Sequence, residues 1–267
     1  MKKWFSTFSI SLLAFGINAQ AELAVGGGVK GAEPGESAQL MPQMDSHGKA
    51  ILPEKEWSFE GFPSEDWDKE KILRGYAVAT QVCLACHSFK YISHRDMMKL
   101  GFSEEEAKNM AESLGFTLDD KMMSSLDDAS AAEIYGKPLP DLSVMNKARP
   151  GGANYVYALL TGYADGVPLA FREKFVNGLP SGSYFNFYFP SHAIAMPPPL
   201  SEGLVSYHDE TEATVPQMAK DVAYFMQWTA EPELLDRKRL GIYVLIYLVI
   251  FAGLAYATKR MVWKRLK

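Results

Sequence analysis

The sequence predicts a mostly α-helical domain whose long loops wrap one buried group, followed by a single C-terminal transmembrane helix. Three observations predict it. Apolar stripes at helical spacing run through residues 64–82 and 214–232. Between Tyr163 and Ser201 the chain is rich in Gly, Pro and aromatic residues, and loops this long in a compact domain need something to order them. Residues 240–258 read LGIYVLIYLVIFAGLAYAT, 19 residues without a charge. At about 1.5 Å per residue they span roughly 28 Å, close to one hydrocarbon core.

In chain order, residues 1–21 read as a signal peptide. Lys2 and Lys3 precede an uncharged stretch from Trp4 to Ile17, and Ala19-Gln20-Ala21 has the small-x-small form of a cleavage site. A mitochondrial transit peptide is Arg-rich, and this segment has no Arg. The expectation is a bacterial, exported protein whose mature chain starts near Glu22. Residues 22–53, rich in Gly, Pro and small residues, read as an extended arm.

Residues 64–82 follow as a helix. Ser64 is its N-cap, and Trp67, Ile72, Leu73, Tyr76 and Ala79 form the apolar stripe. This helix runs directly into QVCLACHSF, which contains both cysteines of the chain, Cys83 and Cys86, with His87 behind them. Three chemistries use such a pair. Export permits a Cys83–Cys86 disulfide, as in a thioredoxin-like redox site. Zinc needs more ligands, and His47, His94, His192 and His208 offer no finger-like pair. The third is c-type haem attachment, whose signature is C-x-x-C-H. Two thiols three positions apart can add to the two vinyl groups on one side of a haem, and the next residue can reach the iron as proximal ligand. Only the haem reading gives His87 a reason to be there.

A six-coordinate haem iron needs a second axial ligand, and a methionine thioether raises the potential by favouring ferrous iron. Met97 and Met98 lie too close to His87 along the chain to reach the opposite face. Met196 stands directly before Pro197, Pro198 and Pro199. Prolines fix φ and hold the preceding residue extended, which makes a stiff strap for a sulfur. His192, four residues earlier, is the rival.

The remaining elements are a helix over 103–114, an acidic irregular stretch from Leu118 to Pro140, and a short helix NYVYALLTGY after the turn Arg149-Pro150-Gly151-Gly152. The helix at 214–232 opens on Thr214 and Gln217 as a capping box, shows Met218, Val222, Phe225 and Met226 on one face, and ends at Pro232. No phosphate loop, nucleophile elbow or metalloprotease motif occurs.

Charge divides the chain. Residues 22–236 contain 17 basic residues and all 32 acidic ones, a net charge of −15. Such a domain repels nucleic acid and attracts basic partners. The acidic clusters Glu104–Glu106, Asp119-Asp120, Asp127-Asp128 and Asp209-Glu210 are candidates for a docking face. After the apolar run come Lys259, Arg260, Lys264, Arg265 and Lys267 without an acid. The positive-inside rule puts that tail in the cytoplasm and the acidic domain outside. The expected organisation is a signal peptide over 1–21, a periplasmic haem-binding domain over 22–236, a transmembrane helix over 237–259 and a cytoplasmic tail over 260–267.

Six stretches together resemble the cytochrome c1 family, the haem subunit of the cytochrome bc1 complex: RGYAVATQVCLACHS, PDLS at 140–143, KARPGGANYVYALLTGY from Lys147, FNFYFPSHAIAMPPPL, AKDVAYFMQWTAEPE, and DRKRLG at the mouth of the span. The resemblance implies a class I cytochrome c-like fold with one covalently attached haem c. It implies Cys83 and Cys86 as thioether attachments, His87 as proximal ligand and Met196 as distal ligand. It places Arg149, and with it Tyr155, near a haem propionate. It further implies electron transfer from a Rieske iron–sulfur protein to a soluble or membrane-tethered cytochrome c, beside cytochrome b, in a dimeric complex of the bacterial inner membrane. The chain departs from the family pattern at Tyr135–Pro140, where no asparagine stands, and at Ala195, where glycine is common. A free-standing anchored cytochrome c feeding an oxidase, and an anchored thiol–disulfide oxidoreductase, remain as the other readings.

Overall fold

A computed structural model of the chain describes residues 41–46, 49–61 and 66–265. The signal-peptide reading of residues 1–21 and the Ser64 cap lie outside these residues. The described residues are about half helical, with two small antiparallel sheets.

Helix α1, Lys69–Gln81, starts where Asp68 Oδ1 accepts a hydrogen bond from the Lys71 amide at 3.2 Å. The helix therefore begins several residues after the expected start, with residues 66–68 outside it. The segment before it is held extended instead, with the Asp68 amide donating to the Tyr224 hydroxyl at 3.1 Å. Helix α2, Glu104–Glu112, is capped by Ser103, whose amide and hydroxyl both donate to Glu106. The stretch 118–140 is not irregular throughout. It contains strand β2, Lys121–Met122, paired with strand β1, Phe89–Ser93. It also contains helix α3, Asp128–Tyr135, whose N-cap Asp127 accepts from the amides of Ala129 and Ser130. Acidity masked this helix in the sequence, yet Asp127 and Asp128 sit at its start, where acids favour helix.

Two further helices surround the Arg149 turn: α4, Met145–Ala148, and α5, Gly152–Thr161. Residues 163–201 are loop, as expected, apart from one helical turn at Leu169–Phe171 and the short pair β3, Tyr184–Phe185, with β4, Ala193–Ile194. Helix α6, Val215–Ala230, is capped by Thr214, which accepts from the Gln217 amide. The reciprocal half of the box is not made, because the Gln217 side chain donates to Asp221 instead at 2.8 Å. Nor does α6 bury a single face. Every residue from Asp221 to Thr229 is buried, because α1, α4 and α5 surround it. Trp228, Phe225 and Phe89 are the largest of its fully buried neighbours and members. Each such side chain stabilises the fold by about 1.5–3 kcal/mol.

Helix α7, Leu234–Arg265, continues well beyond the uncharged run at both ends. Among the described residues it alone is long and apolar enough to cross a membrane, with a mean hydropathy of 2.3 over its most apolar window. Its apolar side chains are exposed from Tyr243 to Leu254, a continuous apolar surface of the kind that marks a membrane or protein contact. Its first turns are tied to the domain. Lys238 donates to the Phe59 carbonyl, Arg239 pairs with Asp66, and Arg237 pairs with Glu231.

One short helix carries a pH-dependent contribution. The turn His94–Leu100 begins at Ser93, whose amide and hydroxyl donate to Asp96 Oδ2 at 2.7 and 2.8 Å. Burial pushes the Asp96 carboxyl up, but the Ser93 bonds and the Lys99 charge outweigh it and hold the group below its ordinary value. A carboxyl lowered by folding contributes stability above its unfolded pKa of about 3.9 and loses it as pH falls through the lower folded value. Urea unfolding should therefore find the parent more stable than Asp96→Asn at neutral pH, with the difference shrinking as the pH is taken below about 3.9. A difference that is the same at every pH contradicts this.

Candidate haem site

The last turn of α1 delivers the cysteines. Val82 leaves the helix, and Cys83–Ala85 form one 3-10 turn that the Cys86 and His87 amides close onto the Cys83 carbonyl at 3.0 and 2.8 Å. Both thiols are half-buried and not joined. Burial, with the neighbouring Cys86 adding to it, pushes the Cys83 thiol up to about 12. A dithiol redox site works through a cysteine whose pKa is lowered. The thioredoxin-like reading also needs a parallel βαβ sheet, and the described strands pair only antiparallel. The Cys83 shift runs the opposite way, and no parallel sheet occurs among the described residues.

His87 has a fixed protonation pattern. Its Nδ1 lies 2.8 Å from the Pro140 carbonyl oxygen, 53 residues away. A carbonyl can only accept, so Nδ1 carries the proton and Nε2 is the bare nitrogen. Burial lowers the His87 pKa, while the Pro140 bond and Asp141 oppose the shift, and the net direction keeps the ring neutral. A neutral imidazole with a second-shell carbonyl on its other nitrogen is the form in which histidine binds metal. The Pro140 segment is itself pinned, since Leu142 donates to the Ser88 carbonyl at 2.9 Å and Lys90 to Asp141 at 2.8 Å.

The other residues expected at the site gather around α5 and the proline strap. Arg149 is exposed and donates to the Ala148 carbonyl. Tyr155 lies against it: burial raises the tyrosine pKa, and the Arg149 charge and hydrogen bond oppose that rise. Burial, with the neighbouring Tyr155 phenol adding to it, pushes the Tyr163 pKa up, and the Tyr163 hydroxyl donates to the Met196 carbonyl at 3.1 Å. Arg149, Tyr155, Tyr163 and the strap carrying Met196 therefore form one chain of neighbours. Sequence reasoning missed Tyr163, because its partner lies 33 residues away and no local pattern announces the contact.

His192 does not compete for the same role. It is buried among aromatic rings, 4.7 Å from Phe171 and stacked at 5.8 Å on Phe185, with Nδ1 toward the Asn186 carbonyl at 3.3 Å. Its backbone has φ 62°, a left-handed turn closed by its own amide on Phe189. It is a core residue of the loop region. His94 is likewise committed, fully buried against Tyr76 and Phe116.

The residues present fit a haem. The donor set combines two unjoined thiols one turn apart with an imidazole whose Nε2 is bare. Incompletely covered apolar surface is present on the same core: Cys83, Leu142, Met145, Tyr155, Leu160 and Leu200 pack on it yet stay partly exposed. An apolar ring covers such surface at a gain. Most of the acidic clusters have local duties. Glu106 and Asp127 cap helices, Asp120 closes a turn at Thr117, and Asp119 pairs with Arg95.

Comparison with known proteins agrees with this geometry. The Cytochrome C1 family matches residues 57–266. The chain is 39% identical to cytochrome c1 of Rhodospirillum rubrum over 248 residues, covering 83% of this chain and 91% of that one. It is 35% identical to cytochrome b/c1 of Bradyrhizobium diazoefficiens, covering 97% of this chain and 42% of that longer protein. It is 38% identical to the mitochondrial cytochrome b-c1 complex catalytic subunit of Candida albicans, covering 80% and 78%. With a family match across nearly the whole described chain, a C-x-x-C-H turn and a histidine poised for metal, the chain belongs to the cytochrome c1 family, whose cofactor is a haem.

Proposed function

We propose that this chain is the membrane-anchored haem subunit of a quinol–cytochrome c reductase, taking one electron at a time from a Rieske iron–sulfur protein and passing it to a soluble or tethered cytochrome c. The observation that carries the reading is His87, held with Nε2 bare by the Pro140 carbonyl immediately behind the two cysteines. Bound haem supplies a one-electron ferric–ferrous couple. Cys83 and Cys86 hold it through thioether bonds, His87 Nε2 is the proximal ligand and the Met196 sulfur the distal one. Tyr163 fixes the backbone of the distal strap. Arg149 and Tyr155 face a propionate and offset its charge. No side chain acts as acid, base or nucleophile, so the protein's part is to bind, to set the potential and to exclude water.

The span covers 237–259 with the haem domain in the periplasm, and the basic end of α7 faces the cytoplasm. The relative named cytochrome b/c1 supports cytochrome b as the neighbour of that span, and the proposed complex is dimeric.

The test is purification of a tagged chain from gently solubilised membranes, with an assay for quinol-dependent cytochrome c reduction and a haem spectrum. Activity co-purifying with b-type haem is the expected result. A c-type spectrum alone, without activity, instead makes the chain a free-standing anchored carrier. Haem stain on a denaturing gel reports the covalent attachment separately.

A further inference from the structure

Three metal-ligating side chains converge outside the haem site. Glu70 lies in the first turn of α1, and His208 and Asp209 lie in the loop that leads from the proline strap to α6. His208 Nε2 stands 2.6 Å from Glu70 Oε2, and one ligand atom from each of the three lies within 4.8 Å of the others. Asp209 is already oriented: Oδ2 accepts from Arg74 at 2.8 Å and Oδ1 from the Thr211 amide at 3.1 Å. The loop is pinned beside it, where the Gln81 amide group exchanges two 3.1 Å hydrogen bonds with the Ser206 backbone.

We propose that Glu70, His208 and Asp209 bind a divalent transition-metal ion of the zinc type. Ligand bonds of about 2.0–2.2 Å in a tetrahedron set ligand atoms roughly 3.4 Å apart, within a small side-chain rotation of the distances here. One imidazole with two carboxylates suits zinc, whereas calcium and magnesium prefer oxygen donors alone. Water supplies the fourth ligand, and the side chains are open to it, with His208 42% exposed. The Arg74 charge does not repel the ion from the site. Arg74 is matched by Asp209 and, at 3.1 Å, by the buried Asp221, so with Glu70 the group keeps an excess of two negative charges. The bound ion ties α1, which ends at Gln81 two residues before Cys83, to the loop that begins just after Pro199. It therefore fastens together the two segments that lead to Cys83 and to Met196.

The experiment titrates zinc against a chromophoric chelator with the detergent-solubilised, haem-loaded full-length chain, its His208→Ala variant and its Glu70→Gln variant. Both substituted residues are exposed at the surface, and Gln is isosteric with Glu, so folding is retained in at least one variant. The parent should bind one equivalent that both variants lose or hold at least about tenfold more weakly. Zinc should also raise the unfolding temperature of the parent and of neither variant, and zinc-edge absorption should show one imidazole among oxygen donors. The proposal is overturned if both variants take up zinc as the parent does, or if the parent takes up none.

Discussion

The Met196→Leu variant should keep its haem through a denaturing gel and titrate at a midpoint potential lower by more than about 59 mV, a tenfold change in a one-electron equilibrium. Leucine matches methionine in bulk, so the packing of the strap is preserved. What it removes is the thioether, a soft donor that favours ferrous over ferric iron. The backbone around the substitution stays where it is. Tyr163 holds the residue-196 carbonyl, not its side chain, and Pro197 to Pro199 keep the strap extended. The proposed thioether bonds at Cys83 and Cys86 would not depend on residue 196, so attachment and potential should separate in this variant. A titration curve identical to the parent's takes Met196 out of the site. His192→Ala should in contrast leave the potential near the parent's, because that ring belongs to the Phe171–Phe185 cluster.

The second large effect is on stability. Gly75 lies where α1 crosses α6, and it is buried. A Cβ added there would overlap the backbone oxygen of Asp221 and stand 2.5 Å from Phe225 Cβ. Alanine is a better helix former than glycine by about 1 kcal/mol, so on an open helix face Gly75→Ala would stabilise. Here the obstacle is backbone, which cannot rotate aside, and the two helices must separate. Overpacking of this kind costs about 1–3 kcal/mol, and contact with the main chain places it at the upper end. Chemical unfolding should show Gly75→Ala destabilised by about 2 kcal/mol after the gain in propensity. A variant as stable as the parent means that the crossing is looser than the structure shows. The same crossing carries Arg74 and Asp221, so its separation also loosens a buried ion pair.

Several parts of this protein were legible in the residues alone, and each rests on a pattern confined to a short window. C-x-x-C-H is five residues long. The uncharged run of α7 and the Thr214 cap of α6 are equally local. Side chains or amides a few positions apart meet by helix geometry, whatever the rest of the chain does. The resemblance to the cytochrome c1 family added the order in which such windows follow one another.

What tertiary structure decided depends on partners far apart in sequence. The proton of His87 is placed by Pro140, 53 residues on. His192 is drawn into an aromatic cluster, which leaves Met196 as the residue on the strap to be tested. Helix α6 was expected to bury one face and buries all of them, since how many helices surround it is not written in its own periodicity. Gln217 turns from its cap to Asp221, and the N-cap of α1 falls on Asp68 because Tyr224 holds the chain there. Glu70 and His208, 138 positions apart, meet only after α1 and the loop before α6 have packed. Local chemistry names the groups this protein uses; contacts closed across long stretches of chain choose which of their atoms are free to bind.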